Sequence, residues 1–269
     1  MNAKLKRQLV GFAVFLILFY FAGGLALYLC QDFLLFHPTP LSRNYRFHFD
    51  QPFEETNLSV DGDNLNILQF KPSSNRKGIA LFFHGNMENS EHYRQYPSLF
   101  TRNAYEVWIM DYPGFGKTTG KRSEDRLEHL ALVLYERAIR SCPADSIVVY
   151  GKSIGTGIAS CLAASKKIGR LILETPYYNV KALAHYYFPF YPAFLTRYSF
   201  PVNEYLQKIG IPVTILHGTD DEVIPYAQPL RLKKEKPETE LITIEHGRHN
   251  TLFSFPLFQH KMDSLLSIR

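Results

Sequence analysis

The chain has 269 residues, 46% of them hydrophobic and 20% charged, with a formal net charge of +5. That balance excludes a disordered chain, which needs low hydrophobicity and a high net charge. The length suits one α/β domain with an appendage. Part of the basic excess sits at Lys4, Lys6 and Arg7. More lies in Arg231-Leu232-Lys233-Lys234, whose acidic neighbours Glu235, Glu238 and Glu240 make it a solvated helix face. No zinc-ligand spacing, recognition helix or basic stripe interleaved with aromatics appears, so no nucleic-acid partner is expected. The three cysteines, Cys30, Cys142 and Cys161, are too few and too scattered for a disulfide framework. They are expected to be free, Cys142 and Cys161 as buried thiols, with a Cys142–Cys161 pair the open alternative.

From Leu9 to Cys30 the chain carries no charge over more than 20 positions, enough to cross a hydrocarbon layer ~30 Å thick as a helix. The basic residues before it and Asp32 after it predict a cytoplasmic N-terminus and the rest of the chain on the far side. A cleaved signal peptide ending near Ala22-Gly23-Gly24 is the rival, but apolar residues continue past that point. A lipoprotein signal ending at Cys30 is disfavoured by Leu29. The expected organisation is therefore an anchor over residues 1–30, a linker over 31–54 and the main folded domain over 55–269. Within the linker, residues 33–38 are apolar and suit either the membrane interface or the first element of the domain.

Strand-length apolar runs follow at Leu65–Phe70, Ile79–Phe83, Val107–Met110, Ile147–Tyr150, Leu171–Leu173, Val213–Leu216 and Leu241–Ile244. Helix-compatible stretches separate them. Arg126 to Ile139 has apolar residues at Leu127, Leu130, Leu134 and Ala138, with Asp125 and Glu128 as candidate caps. Ser153 to Ala164 is rich in small residues, and Leu252 to Leu266 suits a closing helix. The alternation predicts an α/β fold, a mainly parallel sheet with helices on both faces. Ligands of such sheets bind beyond the carboxyl ends of the strands, where His84, Asp111, Ser153, Asp221 and His249 stand.

Gly151-Lys152-Ser153-Ile154-Gly155 follows one strand and opens the small-residue helix, the setting a G-x-S-x-G nucleophile elbow requires. A serine hydroxyl needs a base and the base an orienting acid. Candidates lie in the order Ser, acid, His that this architecture uses. His217-Gly218-Thr219-Asp220-Asp221 and Glu222 to Pro225 follow one strand, and His246-Gly247-Arg248-His249 follows the next. The amide of Ile154, the residue after the serine, is the expected first oxyanion donor.

Here the chain resembles the α/β-hydrolase superfamily, from about Leu65 onward. The resemblance implies an α/β-hydrolase fold with Asp221 as orienting acid and His249 as base, with Asp220 and His246 as the competing neighbours. It implies the Asn86 amide, in His84-Gly85-Asn86, as second oxyanion donor. His84 is expected to support that loop beside the substrate and His217 to support the acid loop. The stretch Asp111-Tyr112-Pro113-Gly114-Phe115-Gly116 matches a loop found after the next strand in such proteins, which implies that it buttresses the pocket, with Tyr112 and Phe115 as the candidates to touch substrate.

The segment from about 175 to 210 is too short for a large cap and dense in aromatics, Tyr177 and Tyr187 among them. It is expected to form a small lid whose aromatics line an acyl pocket, meet the membrane surface or simply pack on the domain. No metal-ligand cluster appears, and no cofactor is expected. The combination of anchor, HGN loop, elbow and short lid is similar to a membrane-anchored branch related to depalmitoylating hydrolases and their bacterial relatives. It implies a membrane-bound serine hydrolase acting on carboxylic esters or thioesters, with the lipid bilayer as its partner. The alternatives are a peptidase on the same triad and a non-catalytic binding protein.

Overall fold

The structure is a computed structural model and describes residues 2–267. Met1, Ile268 and Arg269, at the outer ends of the expected anchor and catalytic segments, lie outside the described residues. The uncharged segment forms the middle of a single helix, α1 (Ala3–Leu35), that is long and apolar enough to cross a membrane. It runs past the expected end at Cys30 because its last turns dock on the body of the protein. Gln31 donates through Nε2 to the Leu195 carbonyl at 2.6 Å and accepts from the Arg197 amide at 2.6 Å.

Phe36 then turns inward and is buried. The short strand β1 (His37–Pro38) follows, so residues 36–38 begin the folded body. Two strands open the main sheet, β2 (Glu54–Val60) and β3 (Asp63–Phe70), followed by β4 (Gly78–Phe83). Next come β5 (Met87–Glu88), which pairs with β1, then α2 (Pro97–Thr101), β6 (Tyr105–Met110) and α3 (Glu124–Ala138). The chain continues through β7 (Ile147–Lys152), α4 (Gly155–Ser165) and β8 (Arg170–Glu174). The lid segment contains α5 (Val180–Tyr187) and α6 (Val202–Gln207). The closing elements are β9 (Val213–Gly218), α7 (Ala227–Glu235), β10 (Glu240–Ile244) and α8 (Pro256–Ser267).

The eight-stranded sheet has the order β10-β9-β8-β7-β4-β6-β3-β2, parallel from β10 to β6 and antiparallel for β3 and β2. Every residue of β4, β6, β7 and β9 is buried, as expected of strands covered on both faces. One core packs Leu127, Leu130 and Leu134 of α3 and Ile158 and Leu162 of α4 on the sheet. The other packs Leu99 and Phe100 of α2 and Phe258 and Met262 of α8 on the opposite face.

Helix α3 is capped by Ser123, whose Oγ accepts from the Arg126 amide at 3.2 Å, and not by Asp125 or Glu128. Its Glu124 instead accepts from the amides of Ser199 and Phe200 and ties down the end of the lid. Glu128 takes the Tyr205 hydroxyl at 2.8 Å. All three cysteines are free. Cys142 and Cys161 are half-buried, and burial together with the nearby Glu128 pushes the Cys161 thiol up to about 12.

Candidate active site

Strand β7 delivers Ser153 into a left-handed backbone conformation, with φ at 52°. A non-glycine residue held there costs about 1–3 kcal/mol and persists only where its surroundings fix it. Two glycines allow the turn. A Cβ on Gly155 would stand 2.1 Å from the carbonyl oxygen of Phe83, and one on Gly151 would stand 2.6 Å from that of Gly155. Backbone oxygens cannot swing aside as a flexible side chain can. Gly155→Ala is therefore expected to cost about 1–3 kcal/mol or more, read as a lowered thermal midpoint of the detergent-solubilised protein.

Three elements converge on the serine. Oγ of Ser153 lies 2.9 Å from Nε2 of His249. Nδ1 of His249 lies 2.9 and 3.1 Å from the two carboxylate oxygens of Asp221. With Nδ1–H donating to Asp221, Nε2 is left as the acceptor for the serine hydroxyl. Asp221 also accepts at Oδ1 from the amides of Val223 and Ile224, and its Oδ2 lies 3.2 Å from Nε2 of His217. Burial alone would raise its pKa, but the hydrogen bonds from His217, His249 and the Ile224 amide outweigh it. The carboxyl is held well below the usual carboxylate range. Asp220 and His246 pair with each other at 3.2 Å on the exposed outside of the same loops, away from the serine.

Asn86 and Ile154 line one cavity with Ser153. Among the described residues, neither backbone N–H donates to a carbonyl. The N–H of Ser153 itself is taken by the carbonyl of Glu174 at 2.9 Å. The Asn86 side chain faces the other way and donates to the Leu35 carbonyl at 2.9 Å, joining this loop to the end of α1.

The other expected contacts divide. Tyr177 lines the cavity, with its hydroxyl 3.3 Å from the Ile154 carbonyl. Tyr187 also lines it and donates to the Val223 carbonyl at 2.8 Å, clasping the lid to the acid loop. His84, Tyr112 and Phe115 are not among the residues that line the cavity; Tyr112 and Phe115, the candidates to touch substrate, buttress it from behind, and His84 supports the loop. All three are fully buried behind the loop. Gly114 and Gly116 take positive φ values of 86° and 50° and fold the stretch back on itself. The Tyr112 ring consequently stacks on His84 at 4.3 Å, and its hydroxyl donates to the His84 carbonyl at 2.7 Å. His84 Nδ1 donates to the Gly85 carbonyl at 2.7 Å, which supports the loop from within.

A buried ion pair beneath the serine escaped sequence reasoning. Lys152 and Glu174 sit side by side at the ends of β7 and β8. Lys152 Nζ donates to Glu174 Oε1 at 2.5 Å and lies 3.3 Å from the His249 carbonyl. The hydroxyls of Tyr96 and Tyr150 complete the carboxylate's partners. The available signal was a lysine and a glutamate at the carboxyl ends of two largely apolar runs.

The cavity holds about 330 Å³ and is mostly apolar. Lid residues Leu183, Ala184 and Phe188 and the α1 residues Leu27, Leu34 and Leu35 supply much of its wall, and among the described residues no Asp or Glu lines it.

Comparison with known proteins agrees with this architecture. The sequence profile of a family described as Serine aminopeptidase, S33, matches residues 74–200. The chain is 29% identical over 204 residues to Protein bem46 of Schizosaccharomyces pombe, covering 72% of this chain and 67% of that protein. It is 28% identical over 211 residues to human Alpha/beta hydrolase domain-containing protein 17B, covering 77% of this chain and 72% of that protein. Among solved structures, an esterase of Pyrococcus furiosus superposes with a TM-score of 0.67 at 18% identity, over 86% of this chain and 96% of that one.

Proposed function

We propose that this chain, which belongs to the α/β-hydrolase superfamily, is a membrane-anchored serine hydrolase that cleaves carboxylic esters or thioesters through an acyl-enzyme. The observation that carries the reading is the line of contacts from Ser153 Oγ through the His249 ring to Asp221, at 2.9 Å on each side of the ring. In the first half-reaction Ser153 Oγ attacks the acyl carbon and its proton passes to His249 Nε2. The negative charge that develops on the acyl oxygen is taken by the N–H groups of Asn86 and Ile154. Collapse breaks the bond to the alcohol or thiol, which leaves with the proton from His249. Water, deprotonated by His249, then attacks the acyl-Ser153 ester and releases the carboxylic acid.

The lining of the cavity supports ester or thioester cleavage over N-terminal peptide trimming. Holding an α-ammonium group calls for a carboxylate in the pocket, and among the described residues none lines it. The anchor is proposed to be α1, with Lys4, Lys6 and Arg7 on the cytoplasmic side and the catalytic domain on the other.

A fluorophosphonate probe applied to the full-length protein in detergent is expected to label Ser153. Hydrolysis of a p-nitrophenyl ester should fall by about 10⁴-fold or more in Ser153→Ala. Hydrolysis by Ser153→Ala at the wild-type rate would sink the assignment.

A further inference from the structure

The helix that anchors the chain also forms one side of the cavity above the serine. Leu27, Gln31, Leu34 and Leu35 of α1 line it, together with Ser153 and the inner face of the lid. Tyr20, Gly24, Leu27, Gln31 and Leu34 follow one another at alternating steps of four and three residues, so they share one helix face. Along that face the lid is seated tightly. Tyr20 stacks on Tyr191 at 5.0 Å and donates to the Phe190 carbonyl at 2.9 Å. A Cβ on Gly23 would collide with the Tyr191 hydroxyl. Gln31 holds the turn at Leu195 to Arg197, as above, and Asp32 accepts from the Tyr198 hydroxyl at 2.5 Å.

The depth of these contacts follows from helix geometry. A hydrocarbon core ~30 Å thick takes about 20 helical residues. Starting just after Arg7, the last charged residue of the basic cluster, such a core ends near Leu27. Tyr20 then lies about 10 Å inside the far boundary at 1.5 Å per residue. The lid tip beside it leaves Phe190 83% and Phe194 81% exposed, an arrangement costly in water but favourable in lipid. Ser153, by contrast, is only 7% exposed, so its approach is through the apolar cavity between α1 and the lid.

From these observations we infer that the cleft between α1 and the lid is an acyl-chain site loaded sideways from the bilayer, with the lid tip immersed in the hydrocarbon. Its occupant is a long acyl chain already embedded in that leaflet, whose ester or thioester carbonyl reaches Ser153. The chain could be borne by a glycerolipid or by an S-acylated peptide; the chemistry recognised is the same. The inference rests on the hydrolase reading above and adds the substrate's chemical class and its route.

The test uses the full-length protein in phosphatidylcholine vesicles and a hexadecyl fluorophosphonate carrying a terminal diazirine. Once Ser153 is labelled, illumination should cross-link the chain end to peptides within 20–35 or 183–195. Labelled Ser153 with cross-links only elsewhere overturns the lateral site while leaving the hydrolase intact; an unlabelled Ser153 overturns the hydrolase reading and this one with it. In a parallel arm, Leu27→Trp should lower the ratio of palmitoyl to acetyl ester hydrolysis at least tenfold, and an unchanged ratio overturns the inference. Release of palmitate from an S-palmitoyl peptide or from dipalmitoylphosphatidylcholine in the vesicles supports it and identifies the source. Turnover of short water-soluble esters alone overturns it.

Discussion

Replacing Asp221 with asparagine should lower kcat for a p-nitrophenyl ester by about 10⁴-fold, by leaving His249 in the wrong tautomer or orientation. An asparagine amide facing Nδ1 offers an N–H where the ring needs an acceptor. Nδ1 then ceases to be the protonated nitrogen, and Nε2 turns from acceptor to donor toward Ser153. Combined with Ser153→Ala, the substitution should add almost nothing, because residues that act as a unit are not additive. A full additional 10⁴-fold loss in the double variant would show that Asp221 acts independently of the serine. The same carboxylate has a consequence for stability. Its folded pKa lies below the ordinary value, so ionised Asp221 stabilises the fold above about pH 4 and that contribution fades as pH falls through the lowered folded value. Thermal midpoints of wild type and Asp221→Asn should therefore converge toward acid pH.

The second large effect lies one residue upstream of the serine. Lys152→Met should destabilise the protein by about 3–5 kcal/mol, because it leaves the Glu174 carboxylate buried without its cation. Glu174 is fully buried, and the two tyrosine hydroxyls that remain can solvate but not neutralise it. Adding Glu174→Gln should return most of the loss, since the pair rather than the lysine is the unit. Denaturant titration of the single and double variants measures the coupling. A double variant no more stable than Lys152→Met would refute the pairing as its origin. Activity should fall along with stability in the single variant, since Glu174 also holds the Ser153 amide and Lys152 reaches the His249 carbonyl.

Strands β4, β6, β7, β8 and β9 were legible because they are covered on both faces and are apolar along most of their length. Strand β2 was not, because it is an edge: Glu54, Glu55 and Asn57 lie along it, and its alternation is too polar to stand out. The two-residue pair β1–β5 has no period to detect, and Pro38 argued against a strand. At the site, the turn around Ser153 was readable from its glycines, whereas Asp221 and His249 were expected only through the resemblance of their loops to the superfamily. Failures came where side-chain direction decided the outcome. Tyr112 and Phe115 sit on a loop at the sheet's carboxyl edge, but the positive φ values at Gly114 and Gly116 turn them inward. The pairing of Lys152 with Glu174 depends on the register of β7 on β8, which no local pattern encodes. The share of α1 in the cavity depends on long-range docking. A segment apolar all round gives no hint of which face is occupied.

Helix α1 meets the lid through a tyrosine, a pair of glycines and a glutamine rather than through generic leucines. A tether can be exchanged for any segment of equal length and greasiness. If α1 is the proposed anchor it is more than that: a polyleucine helix would be as long and as apolar yet lack the hollow that admits Tyr191 and the amide that grips Leu195. Exchange experiments between related proteins would therefore have to move the helix and the lid together, or lose the shape of the chamber that the two enclose.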